Sequence, residues 1–290
     1  SNKRDKGGEY VNLQSKIQNL YCRMKSMRFL TLLIIWGFMV DDMLRLYRNL
    51  AMELNVKDSF AILPFIQNDD FFMKVVLLSV LCFYSNAPFM ERNELYFVQR
   101  IGKKRWGSRN IFYIFGSSIL LAVILVLLSI LLNFPAVDFS NSWGSLYRTV
   151  SVYGMEKYQI PLIVDTKVMS AFTPYQMIGH VILMDILAFA VIGMLLYTLS
   201  LYVRRVGAYI VTILLIFFST MVNYLDAGAK LGLIYFSPFS WENVGNWRYG
   251  YDLSKPNFVY IYVGYFLILF LLVVAGQRQI QRIDWISREE

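Results

Sequence analysis

Apolar residues in this chain fall into long runs separated by short polar punctuation, and the runs are long enough to matter. Residues 71–88, 111–132, 174–202, 207–226 and 258–276 are each close to or above the length that crosses a hydrocarbon core about 30 Å thick. An earlier run starts at Met27 but meets Asp41, Asp42 and Arg45 after Val40, so a full first span has to carry acids in its outer third. Six membrane-spanning helices are the expected architecture. The run at 111–132 is the cleanest of them. Between Pro174 and Tyr202 the run is long enough to tilt.

The shorter patterns predict elements that lie on the membrane or beside it. Tyr10, Leu13, Ile17, Leu20, Met24 and Met27 recur at three- and four-residue intervals, which places them on one stripe of an amphipathic helix. Lys16, Arg23 and Lys25 lie off that stripe and suit lipid headgroups at an inner interface, although a short coiled-coil seam has the same spacing. The run 231–239, LGLIYFSPF, is too short to cross and too apolar for open solvent. It predicts a re-entrant or interfacial hairpin broken at Pro238, ahead of the last span. The segment 133–173 holds Trp143, Tyr147, Tyr153 and Tyr158, and its length and aromatic content predict a small folded cap. The domain reading is therefore a tail with an interfacial helix at 1–27, a six-span domain at 28–277 and a polar tail at 278–290.

Charge orients this layout. The chain has a net charge of +8 and 57% hydrophobic residues, with a mean hydropathy of +0.47 and a pI near 9.3. On the six-span topology the inner segments hold 18 of the 28 Lys and Arg but 7 of the 20 Asp and Glu. This is the positive-inside distribution, and it accounts for the basic pI without nucleic acid as a partner. A multi-pass protein of the cell membrane with both termini in the cytoplasm follows, its remaining partners being membrane lipids. Cys22 and Cys82 both fall on the inner side, so no disulfide is expected. The first apolar run begins near residue 27 behind a polar segment, so no secretory leader is expected in it, and the initial Ser1-Asn2 is set aside as a processing remnant.

The most informative polar stretch is 86–110, between the second and third runs, with Arg92, Arg100, Lys103, Lys104, Arg105 and Arg109. Charge alone is explained by orientation. The segment 91–101, however, lacks Gly and Pro, and Leu95, Val98 and Ile101 recur at helical spacing while Tyr96, Arg100 and Lys103 fall on another side. A short amphipathic helix ending at Gly102 is predicted, with Trp106 at the interface and Tyr96 and Phe97 exposed for docking on another protein.

Catalytic signatures are missing. One histidine cannot build a multi-histidine zinc site, and the sequence contains no HExxH, GxSxG or GxxxxGK[ST]. Asp185 with Asp41 or Asp42 is a weak candidate for an intramembrane aspartyl pair. Asp185 lies about eleven residues into its span, some 16 Å along the helix. It either hydrogen-bonds a neighbouring helix or touches cargo or a gate. Asp41 and Arg45 are four apart and can pair on one face; the acids there either end the helix in outer headgroups or line a cavity.

Six spans with both ends inside, an interfacial helix first, a basic helical loop after the second span and a hairpin before the sixth resemble an ABC-2 type transporter permease, the membrane subunit of bacterial ABC exporters. The most specific match is 91–106, ERNELYFVQRIGKKRW, an acid-rich run followed by Arg, Gly, basic residues and Trp. The resemblance implies that Glu91, Arg92, Glu94, Leu95, Tyr96, Phe97, Arg100, Lys103, Lys104, Arg105 and Trp106 form a coupling helix seated on a separate ATP-binding-cassette ATPase. ATP and Mg would belong to that partner, leaving no cofactor and no enzymatic activity in this chain. Two permease chains, the same or related, would face each other across a pathway lined by their first, second and fifth spans, with Asp41, Asp42 and Asp185 as pathway candidates. The aromatic spans favour an amphipathic or hydrophobic cargo, a peptide, lipid or drug. Asp41-Asp42 and the long 133–173 segment depart from the family pattern. The rival readings are an ion-coupled carrier using Asp185, against which no inverted repeat is found, and a non-transporting scaffold or sensor subunit.

Overall fold

The computed structural model describes residues 26–89, 100, 102–225, 232–250 and 254–282. The described chain is helical apart from one pairing of two-residue strands. Helix α1 is Met27–Glu53, followed by strand β1 at Asp58–Ser59, one-turn helix α2 at Leu63–Ile66 and helix α3 at Asp70–Phe83. Helix α4 is Lys103–Leu132, strand β2 Val137–Asp138, α5 Ser145–Tyr158, α6 Thr166–Ala171 and α7 Pro174–Tyr202. Helix α8 is Arg205–Tyr224, then come three single 3-10 turns, and α9 is Phe258–Arg282.

Four helices, α4, α7, α8 and α9, are long and apolar enough to cross a membrane, which is the composition of a membrane protein. Helix α7 is the hub. Most of it is buried, whereas α8 and α9 are largely exposed, and it packs against α3, α4, α8 and α9. Small residues bring the backbones together. A Cβ on Gly193 would sit 2.7 Å from Ile114 of α4 and 3.1 Å from Tyr84, so only glycine lets these elements close to this distance. Tyr84 completes the joint through its hydroxyl, bonded to Ser117 at 2.8 Å and Ser118 at 3.0 Å.

Two boundaries differ from the expected ones, each for a local reason. Helix α1 does not stop at Asp41-Asp42 but continues to Glu53. Its buried stripe of Leu32, Trp36, Val40, Leu44, Tyr47 and Ala51 keeps helical period straight through the charged turn. Asp41 does not pair with Arg45; its oxygen is 3.0 Å from Arg48, and Arg48 also donates to the Leu132 carbonyl at the end of α4. The second difference is at 103–110, which is not a loop. Gly102, at φ 88° in the left-handed region glycine favours, is followed directly by α4, so the basic residues are its first two turns. Helix α3 has 14 residues and continues into a 3-10 turn at Tyr84–Asn86. The expected interfacial helix at 8–27 lies almost wholly outside the described residues, as does most of 91–101.

The 133–173 segment is a folded cap, as its aromatic content predicts. Strand β2 pairs in parallel with β1, setting Asp58 opposite Val137. Helix α5 follows Gly144, which has no side chain to satisfy the free N–H groups of the first turn. Asp58 supplies the acceptor from another part of the chain: Tyr147 N donates at 2.9 Å, Leu146 N at 3.4 Å and the Tyr47 hydroxyl at 2.8 Å. A carboxylate at a helix N-terminus is the favoured sign of charge. Tyr147 in turn stacks on Tyr47 at 5.5 Å and donates to the Ser59 carbonyl at 2.8 Å, tying cap to α1.

Candidate functional site

One group of buried polar residues converges in the cap-side half of the bundle. Asp185 is 1% exposed on α7, and Gln67, just after α2, donates one amide nitrogen to both of its oxygens at 2.9 and 3.1 Å. Asp69 accepts from Phe72 N at 2.7 Å and starts α3, which brings Asp70 and Lys74 inward one turn apart. Lys74 Nζ is 3.0 Å from Asp70 Oδ2, and Asn223 of α8 donates to Asp70 Oδ1 at 2.7 Å. Asn246 donates to Asn223 at 3.0 Å, which extends the chain of polar contacts into the segment after α8.

That segment carries the residue that sequence reasoning missed. Of the 3-10 turns, Ile234–Phe236 packs on α8, Pro238–Ser240 on both α8 and α9, and Val244–Asn246 reaches α8 through the Asn246–Asn223 hydrogen bond. Trp241 lies on Gly264 of α9, where a Cβ would come within 2.8 Å of its ring, and its indole donates to the Ile234 carbonyl at 2.7 Å. Tyr265 donates to the Pro238 carbonyl at 2.7 Å, and Ser240 to the Ser219 carbonyl at 3.3 Å. These anchors carry Glu242 inside, where it is 2% exposed with neither carboxyl oxygen hydrogen-bonded. Glu242 lies within electrostatic range of Asp185 and Lys74, and Tyr265 within range of both carboxyls.

Three carboxyls thus share one polar group with one ammonium: Asp70 pairs with Lys74, and Glu242 lies within electrostatic range of both Lys74 and Asp185. With all of them ionised the group would carry a net charge of −2. An ionised acid at mid-membrane depth costs roughly 2.5 to 3.5 kcal/mol on insertion scales, and an unpaired one has no Coulombic return to offset it. Such a group can exchange a proton or engage a cationic or hydrogen-bonding ligand. Among the described residues no set of three or more His, Cys, Asp or Glu is placed to hold a metal ion.

Among the described residues, two of the cavities beside the bundle bear on the site. One, of about 380 Å³, is polar and bounded by Asn68, Ser151, Asp165, Asn243 and Asn246 under the cap. Two of its wall residues, Asn68 and Asn243, are the immediate chain neighbours of Gln67 and Glu242. Asn68 and the 243–246 turn are cross-linked there, Gly245 N donating to Asn68 at 3.0 Å and Asn243 to the Asn68 carbonyl at 3.2 Å. The other, about 420 Å³, is almost entirely apolar and lies between α1 and α3, lined by Leu32, Ile35, Val75, Leu78 and Cys82 with Arg28 among its few polar members.

The residues singled out from sequence are distributed as follows. Asp41 is engaged with Arg48, Asp42 is exposed on α1, and neither joins Asp185, so the weak aspartyl-pair candidate finds no geometric basis. Asp185 bonds another segment rather than His180, whose ring nitrogen is 2.7 Å from the Tyr262 hydroxyl. Glu91, Arg92, Glu94, Leu95, Tyr96 and Phe97 lie outside the described residues, while Arg100, Lys104 and Arg105 are exposed. Trp106 is buried, its ring 6.4 Å from that of Tyr197 on α7. Cys82 is a free thiol. Lys74 was legible as a lone cation in the run FFMKVVLL, and Glu242 as a lone acid between Trp241 and Trp247. Comparison with protein families, with curated proteins and with solved structures finds no match to this chain.

Proposed function

We propose that the chain is the membrane subunit of an ABC-2 type exporter, which moves an amphipathic or hydrophobic cargo with energy taken from a separate ATPase. The observation that carries this reading is the continuity of the basic segment with α4. Lys103 to Arg109 form the first turns of a 30-residue helix, about 45 Å long at 1.5 Å per residue. Trp106 seats that end against Tyr197 of α7, and Gly107 packs so closely on α9 that a Cβ would meet Ile280 at 2.7 Å. A partner pushing on 91–106 would therefore move α4 together with α7 and α9 as packed rods, because cores do not deform continuously.

Further features fit the same scheme. Helix α1 is long enough to be the first of six spans, and α3 with its 3-10 turn the second, the 234–246 turns then being the re-entrant hairpin. The outward face of α1 mixes Phe38 and Met52 with Asp42, Arg45 and Asn49. Charges on a face turned to lipid are costly, so a second permease chain or a wet pathway covers it. The apolar cavity beside Arg28 suits a cargo with an acyl or aromatic body and an anionic end.

The test is co-expression with neighbouring genes and purification through this chain. An ATPase should accompany it, and Tyr96→Ala or Arg100→Ala should weaken that association by about 2 kcal/mol or more, as for interface anchors, without preventing membrane insertion. A cysteine at Ser108 should be shielded from an impermeant reagent in intact cells and one at Ser145 should label. Labelling at Ser108 from outside, or transport with no ATPase present, would refute the scheme. The ion-coupled rival is favoured by a specific observation, the buried acids at Asp185 and Glu242, and the second outcome would select it.

A further inference from the structure

The strongest unexplained feature in the bundle is Glu242: an acid 2% exposed, lacking any hydrogen-bond donor, and held beside a second buried acid. A segment that only needed to pack would place an apolar residue there. Its neighbours Trp241, Val244 and Trp247 do so, all of them buried. The rest of the polar group is satisfied: Asp185 by Gln67, Asp70 by Lys74 and Asn223. Glu242 is the member left with free valence.

We propose that Glu242 is the carrier of an exchangeable proton, taken from the cap-side polar pocket and tuned by Asp185 and Lys74. The groups facing it are these two from α7 and α3, Asp70 paired to Lys74, and Tyr265 from α9, whose hydroxyl is committed to the Pro238 carbonyl. Helix α8 contributes the neutral Asn223. Uptake transfers one proton from a hydronium ion to a Glu242 carboxylate oxygen: the hydronium O–H bond breaks, the carboxyl O–H bond forms and a neutral water molecule is left. With Asp185 ionised the charge of the group goes from −2 to −1. Access comes from the pocket beneath the cap, whose wall residues Asn243 and Asn246 lie one and four positions after Glu242 in the chain and whose Asn68 follows Gln67. Proton exchange at this site does not require an ATPase, so its test is independent of the proposed function and fails separately from it.

The experiment uses the full chain purified alone in lipid nanodiscs and follows the carbonyl stretch of protonated carboxyls by infrared difference spectroscopy across pH. A titrating band is expected in the parent and should be lost in Glu242→Gln, which keeps shape and removes the acid. In Asp185→Asn the band should persist with its midpoint lowered by about one pH unit or more, since a neighbouring negative charge that favoured protonation has gone. Glu242→Asp should restore a band with a shifted midpoint, which separates loss of the proton site from loss of fold. Ser151→Trp, filling the pocket, should slow exchange of the carboxyl proton with deuterium. A band of full amplitude in Glu242→Gln, or an unchanged midpoint in Asp185→Asn, would overturn the assignment. A midpoint that moves with sodium at fixed pH would overturn it in favour of a competing cation, and unaltered exchange in Ser151→Trp would remove the pocket as the route.

Discussion

Replacing Gly144 by alanine tests how the cap is held to the bundle. The backbone there does not itself demand glycine, because φ is −28°. The constraint is Asp58. A Cβ on Gly144 would lie 1.6 Å from Asp58 Oδ1 and 2.4 Å from its Cγ, so the carboxylate must retreat by about 2 Å to reach an ordinary contact. Such a shift takes the bonds from Tyr147 N and the Tyr47 hydroxyl, now 2.9 and 2.8 Å, beyond hydrogen-bonding range. Each bond to a charged group contributes about 1.5 to 3 kcal/mol, and the gain from reduced unfolded-chain entropy is only about 0.4 to 1 kcal/mol. With partial rearrangement a net loss of about 2 to 4 kcal/mol is expected. For a chain of this size that lowers the thermal midpoint by about 5 to 10 °C. The assay is thermal unfolding in detergent of the parent, Gly144→Ala, Asp58→Ala and the double variant. If the methyl acts by displacing Asp58, it should cost under about 1 kcal/mol once Asp58 is already alanine, giving a coupling of about 2 to 3 kcal/mol. An equal cost in both backgrounds would refute the mechanism.

Three other outcomes are expected. Burial pushes the Asp58 carboxyl above its usual 3.8 despite the pull of its three donors, so the folded state binds this proton more tightly than the unfolded one. Stability should therefore fall as pH rises from about 4 through the raised value and then level off, a slope that Asp58→Asn should lack when midpoints are compared across pH. Gly264→Leu should push Trp241 off α9, costing about 3 to 5 kcal/mol as for a displaced large side chain, and a cysteine at Ser237, now buried, should become reactive to thiol reagents. No change in that reactivity would mean the turns are seated by other contacts. Arg48→Gln should cost about 1 to 2 kcal/mol in the same thermal assay by loosening α1 from both Asp41 and the end of α4; a neutral result would make the pair a surface contact.

Sequence pattern and structure agree most closely where apolar periodicity is uninterrupted. The run at 174–202 corresponds to α7 at both ends, with Pro174 in the first turn where its missing donor costs nothing. Agreement loosens where charge meets helix. Asp41-Asp42 read either as a terminus or as a cavity lining because acids are expensive in apolar surroundings, but Arg48, two turns along the same helix, pairs with Asp41 and also donates to the Leu132 carbonyl at the end of α4. Lys103 to Arg109 looked like a loop because basic residues mark turns between spans, yet nothing in them stops a helix once Gly102 has started one.

Whether a segment enters an apolar environment depends on transfer free energies that add residue by residue, so the long helices, the folded aromatic cap and the membrane character of the chain were written in its linear order. Which polar groups meet inside does not add in that way, because a hydrogen bond depends on two positions at once. Gln67 and Asp185 are 118 residues apart, Asn223 and Asp70 153, and Asp58 reaches a helix 88 residues downstream. Trp241 and Trp247 bracket Glu242 in the sequence, but it is the seating of Trp241 on Gly264 that brings the acid inside. Only the tertiary packing around that turn decides that an unpartnered acid ends within electrostatic range of a second buried acid, Asp185.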